Sequence, residues 1–301
     1  MLKTCFVIAT KNNIGTIDKC LASLLPYYNQ GYITEIVVVD GHSTDGTIKV
    51  IKKYPVKLVF DEGATYSEAR ETGWRNTQGD LVAFLDSDAY LEAKFFPAVL
   101  EFFTDVKIGI IGCQPKAVVT NQLTKAIAEQ WAWGTPMLNN SSSLFQRLYR
   151  RIATNNTQII PGGPCQIVRR VCLEAVNGFP RQKHQEDLYL ARRIITGGWK
   201  TAWWIDAPLY HYPRTTLKGL AKQGYKWGND YRYSELLQFQ DNNTEKGPNK
   251  ISFLFSRLAS PVIGVILTIK YKNLWHLISY PLPRYAWVDG YLTGFFKIKN
   301  K

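Results

Sequence analysis

Leu81-Val82-Ala83-Phe84-Leu85-Asp86-Ser87-Asp88-Ala89 is the stretch that decides the fold. An unbroken apolar run of this length, with no polar alternation, describes a strand buried on both faces, as in a parallel sheet. The run ends in two carboxylates one residue apart, and ligands of parallel α/β sheets gather at the carboxyl ends of the strands. Residues i and i+2 of an extended chain project to the same side. Asp86 and Asp88 therefore repel each other unless a cation lies beside them. Carboxylate oxygens suit Mg²⁺ or Mn²⁺, ions that commonly bridge a few carboxylates to a substrate's phosphates. A solvated acidic turn is the plainer reading of the triplet alone, so the choice rests on the rest of the chain.

Upstream, residues 4–10 form another buried apolar run, ending in the polar loop Thr10-Lys11-Asn12-Asn13-Ile14-Gly15. Ile17, Cys20, Leu21, Leu24 and Leu25 follow at the spacing of one helix face, with Pro26 and the 29–31 segment expected to stop it. Residues 35–40 predict a second strand with Asp40 at its end. In the turn Gly41-His42-Ser43-Thr44-Asp45-Gly46, Ser43 or Thr44 is placed to cap the next helix. Residues 56–60 predict a third strand closed by Asp61, and a helix follows from near Gly63 through Ala69-Arg70 to about Gln78-Gly79. The resulting β-α-β-α-β-α-β order implies a mostly parallel, doubly wound sheet. Three of its strands end in aspartate along one sheet edge, a pattern harder to dismiss than any one acid.

Downstream, strands are expected at 108–113, 165–169 and 201–205, and a helix over 124–151 broken at 139–143. Gly178-Phe179-Pro180 predicts a turn. Gln185-Glu186-Asp187 opens a helix carrying Leu188, Ala191, Ile194 and Ile195, where first-turn carboxylates also suit the helix dipole. His211, in Tyr210-His211-Tyr212-Pro213-Arg214, is equally compatible with a structural histidine and a ligand.

The chain of 301 residues is 46% hydrophobic and 13% aromatic, enough for a sizeable core and unlike a disordered protein. Its net charge of +13 favours acidic partners: nucleotide phosphates, nucleic acid or an anionic membrane surface. No nucleic-acid-binding pattern accompanies the charge, so nucleic acid is not expected as a partner. The five scattered cysteines predict reduced core thiols and a cytoplasmic location, and the first apolar run is too short for a signal peptide. From about residue 245 the sequence turns basic and aromatic, and its longest uncharged run, 258–269, is too short to span a bilayer. Interleaved Lys/Arg and Trp/Tyr suit helices lying on an anionic membrane surface, while an ordinary helical subdomain remains open.

Taken in order, these motifs resemble the family 2 glycosyltransferases, which have the GT-A fold. The resemblance covers most of residues 4–228. It rests on Ala9-Thr10-Lys11-Asn12, on Val39-Asp40-Gly41-His42-Ser43-Thr44-Asp45-Gly46-Thr47 and on Gly63 through Ala69-Arg70. Leu85-Asp86-Ser87-Asp88 matches the family's D-x-D, and Gly178-Phe179 with Gln185-Glu186-Asp187 resembles its acceptor-side E-D motif. It implies a GT-A glycosyltransferase domain over 1–245, with a nucleotide-sugar half at about 1–115 and an acceptor half at about 116–245. A helical, membrane-associating extension would then occupy 246–301.

By the same resemblance, Thr10, Asp40, Ser43, Asp45, Gly63, Arg70 and Asp86 bind the nucleotide sugar, with Asp40 at the base. Asp88, with Asp86 and His211, holds Mg²⁺ or Mn²⁺. Asp187 is the general base toward the acceptor hydroxyl, and Glu186, Gln223, Lys226 and Trp227 lie on the acceptor side. The implied reaction is inverting transfer from a nucleotide-diphosphate sugar to a glycan or lipid-linked hydroxyl. Gln223-Gly224-Tyr225-Lys226-Trp227 resembles the Q-x-x-R-W of processive synthases with Lys for Arg. Arg and Lys are not interchangeable where a planar fork is used, so one sugar, or a few, per binding event is expected.

A nucleotidyltransferase is the alternative within enzymes, but the loop after the first strand lacks the Gly-rich basic pattern it needs. A methyltransferase lacks that loop too and leaves Asp86 and Asp88 idle. A non-catalytic nucleotide-sugar binder or membrane scaffold has no use for Asp187.

Overall fold

The computed structural model describes residues 2–61, 65–134, 160–179, 186–238, 254 and 256–298. Gly63, Pro180, Gln185, the helix expected beyond residue 134 with its break at 139–143, and the boundary expected at 245–246 lie outside these residues. In chain order the elements begin with β1 (Thr4–Thr10), α1 (Ile17–Asn29), β2 (Ile33–Asp40), α2 (Thr47–Ile51), β3 (Lys57–Phe60) and α3 (Tyr66–Arg75). Next come β4 (Leu81–Leu85), β5 (Ala89–Leu91), α4 (Ala98–Phe102), β6 (Ile108–Cys113), β7 (Lys116–Ala117) and α5 (Gln122–Gly134). They continue with β8 (Cys165–Arg169), α6 (Arg170–Ala175), α7 (Glu186–Thr196), β9 (Lys200–Trp204) and β10 (Leu209–His211). The described chain closes with α8 (Leu217–Gln238), α9 (Ser260–Tyr271), α10 (His276–Ser279) and α11 (Pro281–Ile298). Two compact units result, one of residues 1–116 and 160–211, the other of 117–159 and 212–301.

The first unit is built on a seven-stranded sheet in the order β3-β2-β1-β4-β8-β6-β9. β1 pairs in parallel with β2 and β4, β2 with β3, and β6 with β9. Only β8 runs against its neighbours, β4 and β6. The sheet is therefore mostly parallel, as expected, with one strand reversed. Every residue of β1 and β4 is buried, which accounts for their unbroken apolar runs. A second sheet, β5-β10-β7, is short, and its β5–β10 pair is antiparallel. All five cysteines are buried free thiols.

Two local expectations need correction. The first helix does not stop at Pro26 but runs through it to Asn29. A proline inside a helix forfeits one backbone hydrogen bond. Here the neighbouring Tyr27 is buried and donates its hydroxyl to the Glu92 carbonyl, which anchors that turn. The chain leaves the helix at Gly31, whose φ of 78° favours glycine. Neither Ser43 nor Thr44 caps α2. Asp45 accepts from the Thr47 amide at 3.0 Å and its hydroxyl at 2.6 Å, because Ser43 is already committed to Asp40. α7 opens on Glu186 and Asp187 and carries Leu188, Ala191, Ile194 and Ile195 as expected, with Glu186, Leu190, Ala191 and Ile194 as its buried residues.

Gly73 sets how closely α3 lies on the sheet. A Cβ there would overlap the Val7 side chain and crowd Val39. Overpacking of this kind costs about 1–3 kcal/mol, so Gly73→Ala should lower the melting temperature by several degrees. An unchanged melting temperature would show that α3 can lift without cost.

In the second unit, α8 and α11 meet through glycines. Cβ atoms at Gly224 and Gly228 would overlap the backbone of Pro283 and Trp287, and one at Gly290 would overlap Tyr225. Glycines four apart share a helix face and let two backbones approach. Trp133 of α5 packs with Ile263, Leu267 and Tyr280, and Leu123 and Ile127 pack with Leu220. Among the described residues, no helix is long and apolar enough to cross a membrane.

Candidate active site

Because β3, β2, β1 and β4 are parallel, Asp61, Asp40, Thr10 and Asp86 lie at the same edge of the sheet. Thr10 and Asp40 are register partners across β1 and β2. Asp40 is fully buried and accepts from the Ser43 amide at 2.7 Å and the Ser43 hydroxyl at 2.6 Å. Ser43 Oγ in turn accepts from the Asn12 amide at 2.7 Å, and the Asn12 side chain accepts from the Thr44 amide at 2.8 Å. Asp45 Oδ2 accepts from the Ile14 amide at 3.1 Å, and its bonds to Thr47 hold its carboxyl below the usual range. The loops after β1 and β2 are thus laced together. Asn13 extends the lacing to the Asp86–Asp88 turn by donating to Ser87 Oγ at 2.7 Å. Thr10 Oγ1 is buried there and finds no hydrogen-bond partner among the described residues.

Asp86 and Asp88 are held differently. Arg70, on α3, donates to Asp86 Oδ1 at 3.0 Å and pairs with Glu186 at 3.3 Å. Burial pushes the Asp86 and Glu186 carboxyls up, against the opposing pull of Arg70. For Arg70 itself burial acts downward, but the charges of Glu186, Asp86 and Asp187 outweigh it and keep the guanidinium charged. Asp88 meets His211, whose Nε2 lies 3.0 Å from Asp88 Oδ1. The antiparallel pairing of β10 with β5 aligns His211 with Ala89, next to Asp88 in the chain. One ligand atom each from Asp86, Asp88 and His211 fall within 4.8 Å of one another.

Those donors fit a divalent cation. The 3.0 Å between the Asp88 oxygen and the His211 nitrogen is close to the edge of an octahedron with ligands at about 2.1 Å. Two carboxylates and an imidazole suit Mn²⁺, while Mg²⁺ favours oxygen ligands.

Asp187 stands in the first turn of α7. Its Oδ2 accepts from the Gly163 amide at 3.1 Å and its Oδ1 from the Leu188 amide at 2.8 Å. The loop Pro161-Gly162-Gly163-Pro164 makes this possible: Gly163 has a φ of 96°, and a Cβ on Gly162 would sit 3.1 Å from Asp187 Oδ2. The Pro164 carbonyl accepts from the Asp86 amide at 2.8 Å, so four residues tie both acids to one loop. Buried Gln166 adds to the tie through the Pro161 carbonyl at 2.8 Å and the Asp187 carbonyl at 3.3 Å. Glu71 clamps the preceding turn onto α3, accepting from the Phe179 amide at 2.8 Å and from Trp74 at 2.6 Å. Sequence reasoning missed Gly162, Gly163, Gln166 and Glu71. The adjacent glycines were their one visible signal.

The structure therefore gathers Thr10, Asp40, Ser43, Asp45, Arg70, Asp86, Asp88, Glu186, Asp187 and His211 within the first unit. Glu186, expected on the acceptor side, is buried against Arg70. Gln223, Lys226 and Trp227 lie on α8 in the other unit, the first half-buried and the other two exposed.

Residues 5–176 match the family described as Glycosyl transferase family 2. Beta-monoglucosyldiacylglycerol synthase of Synechocystis sp. is 27% identical over 280 residues, covering 87% of this chain and 56% of the relative. The chain thus spans about half the length of the curated relatives it matches first. The mannosyltransferase PcManGT of Pyrobaculum calidifontis, solved with GDP-Man and Mn²⁺, superposes with a TM-score of 0.63 at 17% identity, over 98% of this chain and 87% of its own. TarS 1–349 of S. aureus, solved with UDP-GlcNAc, does so at 0.51 and 16%, over 99% and 92%. At these identities the likeness is one of fold, and the fold is GT-A.

Proposed function

The chain belongs to glycosyl transferase family 2, and on that premise we propose that it is an inverting, metal-assisted transferase moving a hexosyl group from a nucleotide-diphosphate sugar to a glycan or lipid-linked hydroxyl. The observation that carries this reading is the meeting of Asp86, Asp88 and His211 at the sheet edge, with Asp187 tied to Asp86 through the 161–164 loop. The base end of the donor is proposed at the rim of Thr10, Ser43 and Asp45, with buried Asp40 acting through Ser43, to which both its oxygens are bonded. Asp86, Asp88 and His211 hold Mn²⁺ or Mg²⁺. When bound, such an ion supplies Lewis-acid stabilisation to the departing diphosphate. Arg70 aims Asp86 and opposes the upward push of burial on its carboxyl. Asp187 accepts the acceptor's hydroxyl proton as that oxygen bonds to the anomeric carbon. The diphosphate leaves from the opposite face, which inverts the centre. Gln223, Lys226 and Trp227 are proposed on the acceptor side, with release after one sugar or a few.

The matched relative from Synechocystis is named for a glycolipid product, and the basic, aromatic C-terminal region supports the same setting here. We place the acceptor at an anionic membrane surface, met from the cytoplasmic side.

Nucleotide release from a panel of UDP- and GDP-sugars, with Mn²⁺ or Mg²⁺, tests the reading. Metal-dependent release from one donor is expected. Tight donor binding without release, in the presence of lipid-linked and glycan acceptors, would mark the chain as a binder and overturn it.

A further inference from the structure

Segment 273–279 of the second unit has its polarity turned inside out. Asn273, His276 and Ser279 are buried at 9%, 0% and 0%, while Leu274, Trp275, Leu277 and Ile278 between them are exposed at 73%, 38%, 43% and 50%. The inward groups are held in place. Gln130 lies 3.2 Å from His276 Nδ1 and donates to Ser279 Oγ at 2.7 Å. Glu129 Oε2 lies 2.9 Å from His276 Nε2 and accepts from Asn273 at 2.9 Å. Turning the segment over would strand these buried polar groups, so the apolar side chains are fixed outward.

α9 adds further outward apolar side chains, although its buried face is partly apolar. It buries Ser260, Ile263, Gly264 and Leu267 and exposes Val262, Val265 and Ile269, the last at 73%. α9 and α10 pack closely, since a Cβ at Gly264 would lie 2.8 Å from the His276 carbonyl oxygen. Large apolar side chains gathered on adjoining elements mark an interaction surface.

Charge selects the partner. Between residues 256 and 298 the sequence has one acid, Asp289, against Arg257, Lys270, Lys272, Arg284 and Lys297. Lys270 and Lys272 are exposed at the junction of the two apolar stretches. A second copy meeting this face by two-fold symmetry would set like charges together. An anionic bilayer accepts both the apolar side chains and the cations around them, and no described helix is suited to cross it.

We propose that the α9–α10 face docks monotopically into an anionic lipid bilayer, with Leu274, Leu277 and Ile278 in the headgroup–acyl boundary and Lys270 and Lys272 on the lipid phosphates. This rests on, and deepens, the membrane-surface setting of the proposed function.

Co-sedimentation of the full chain with phosphatidylcholine vesicles containing about 30% phosphatidylglycerol tests the proposal. The wild type should bind these and not pure phosphatidylcholine. Leu274→Glu/Ile278→Glu should reduce binding by about 10-fold or more, as should Lys270→Glu/Lys272→Glu. Melting temperature and nucleotide release from a soluble donor should be unchanged in both. A wild type that stays in the supernatant, or an apolar-to-acid variant that binds like the wild type, overturns the proposal. So does a full-length dimer that this variant dissociates while neither form binds vesicles. Vesicle binding with no nucleotide release from any donor would support the docking face and overturn the transferase reading separately.

Discussion

Asp88→Ala is expected to abolish metal-dependent transfer, with kcat/KM lower by about 10³-fold, since Lewis-acid stabilisation contributes several kcal/mol. The size follows from how little the remaining groups can compensate. One oxygen of Asp86 is already engaged by Arg70 at 3.0 Å, and that guanidinium is itself pinned by Glu186. Asp86 is therefore not free to swing across and replace its neighbour. His211 would lose the Asp88 oxygen 3.0 Å away and cannot supply the carboxylate charge that an ion would lose. Mn²⁺ affinity, read by calorimetry in the absence of donor, should fall in parallel by at least about 10–100-fold. Asp88 lies in the turn between β4 and β5, outside the apolar core, so the melting temperature should hold. Unchanged Mn²⁺ affinity with unchanged nucleotide release would remove Asp88 from the metal site. Loss of release with full Mn²⁺ affinity would move it from holding the ion to holding the donor.

That site was only partly legible in the sequence. β1, β2 and β4 could be read because largely buried strands write themselves as apolar runs, and the half-exposed edge strand β3 because Asp61 closes it as Asp40 and Asp86 close β2 and β4. The reversal of β8 could not, since a short buried strand looks the same in either direction. Nor could the β5–β10 pairing. Each strand has three residues, too few for alternation to register, yet that ladder brings His211 to Asp88 across 123 positions. The resemblance supplied His211; no local pattern did. Pro161-Gly162-Gly163-Pro164 reads locally as a turn, and its meaning comes from Asp187, 24 residues beyond the Gly163 amide. Glu71 and Gln166 are silent for the same reason, because each acts on a segment distant in sequence. In the second unit the composition pointed to a membrane. The alternation of polar and apolar residues over 273–279 does not say which set faces inward. Only the partners on α5 decide that.

Asp187→Asn is expected to leave donor and Mn²⁺ binding within about 2-fold of wild type and to lower kcat for transfer by about 10²–10⁴-fold, the usual contribution of a positioned base. The substitution preserves shape and removes the capacity to take a proton. Asparagine keeps its oxygen for the Gly163 amide, now at 3.1 Å, and gives up only the bond from the adjacent Leu188 amide, now at 2.8 Å, because an NH₂ group cannot accept. The 161–164 loop should therefore shift little. It remains tied independently through Gln166 to the Pro161 carbonyl and through Pro164 to the Asp86 amide. Arg70 faces Glu186 and Asp86 directly, so the donor-side ion pairs survive the change. A structural role predicts a different outcome: donor affinity, metal affinity and melting temperature would fall together with kcat. Hydrolysis of the donor by water supplies the sharpest contrast. Mn²⁺-dependent release without acceptor should decline far less than transfer if Asp187 serves the acceptor hydroxyl. An equal decline in both would place Asp187 with the departing diphosphate instead.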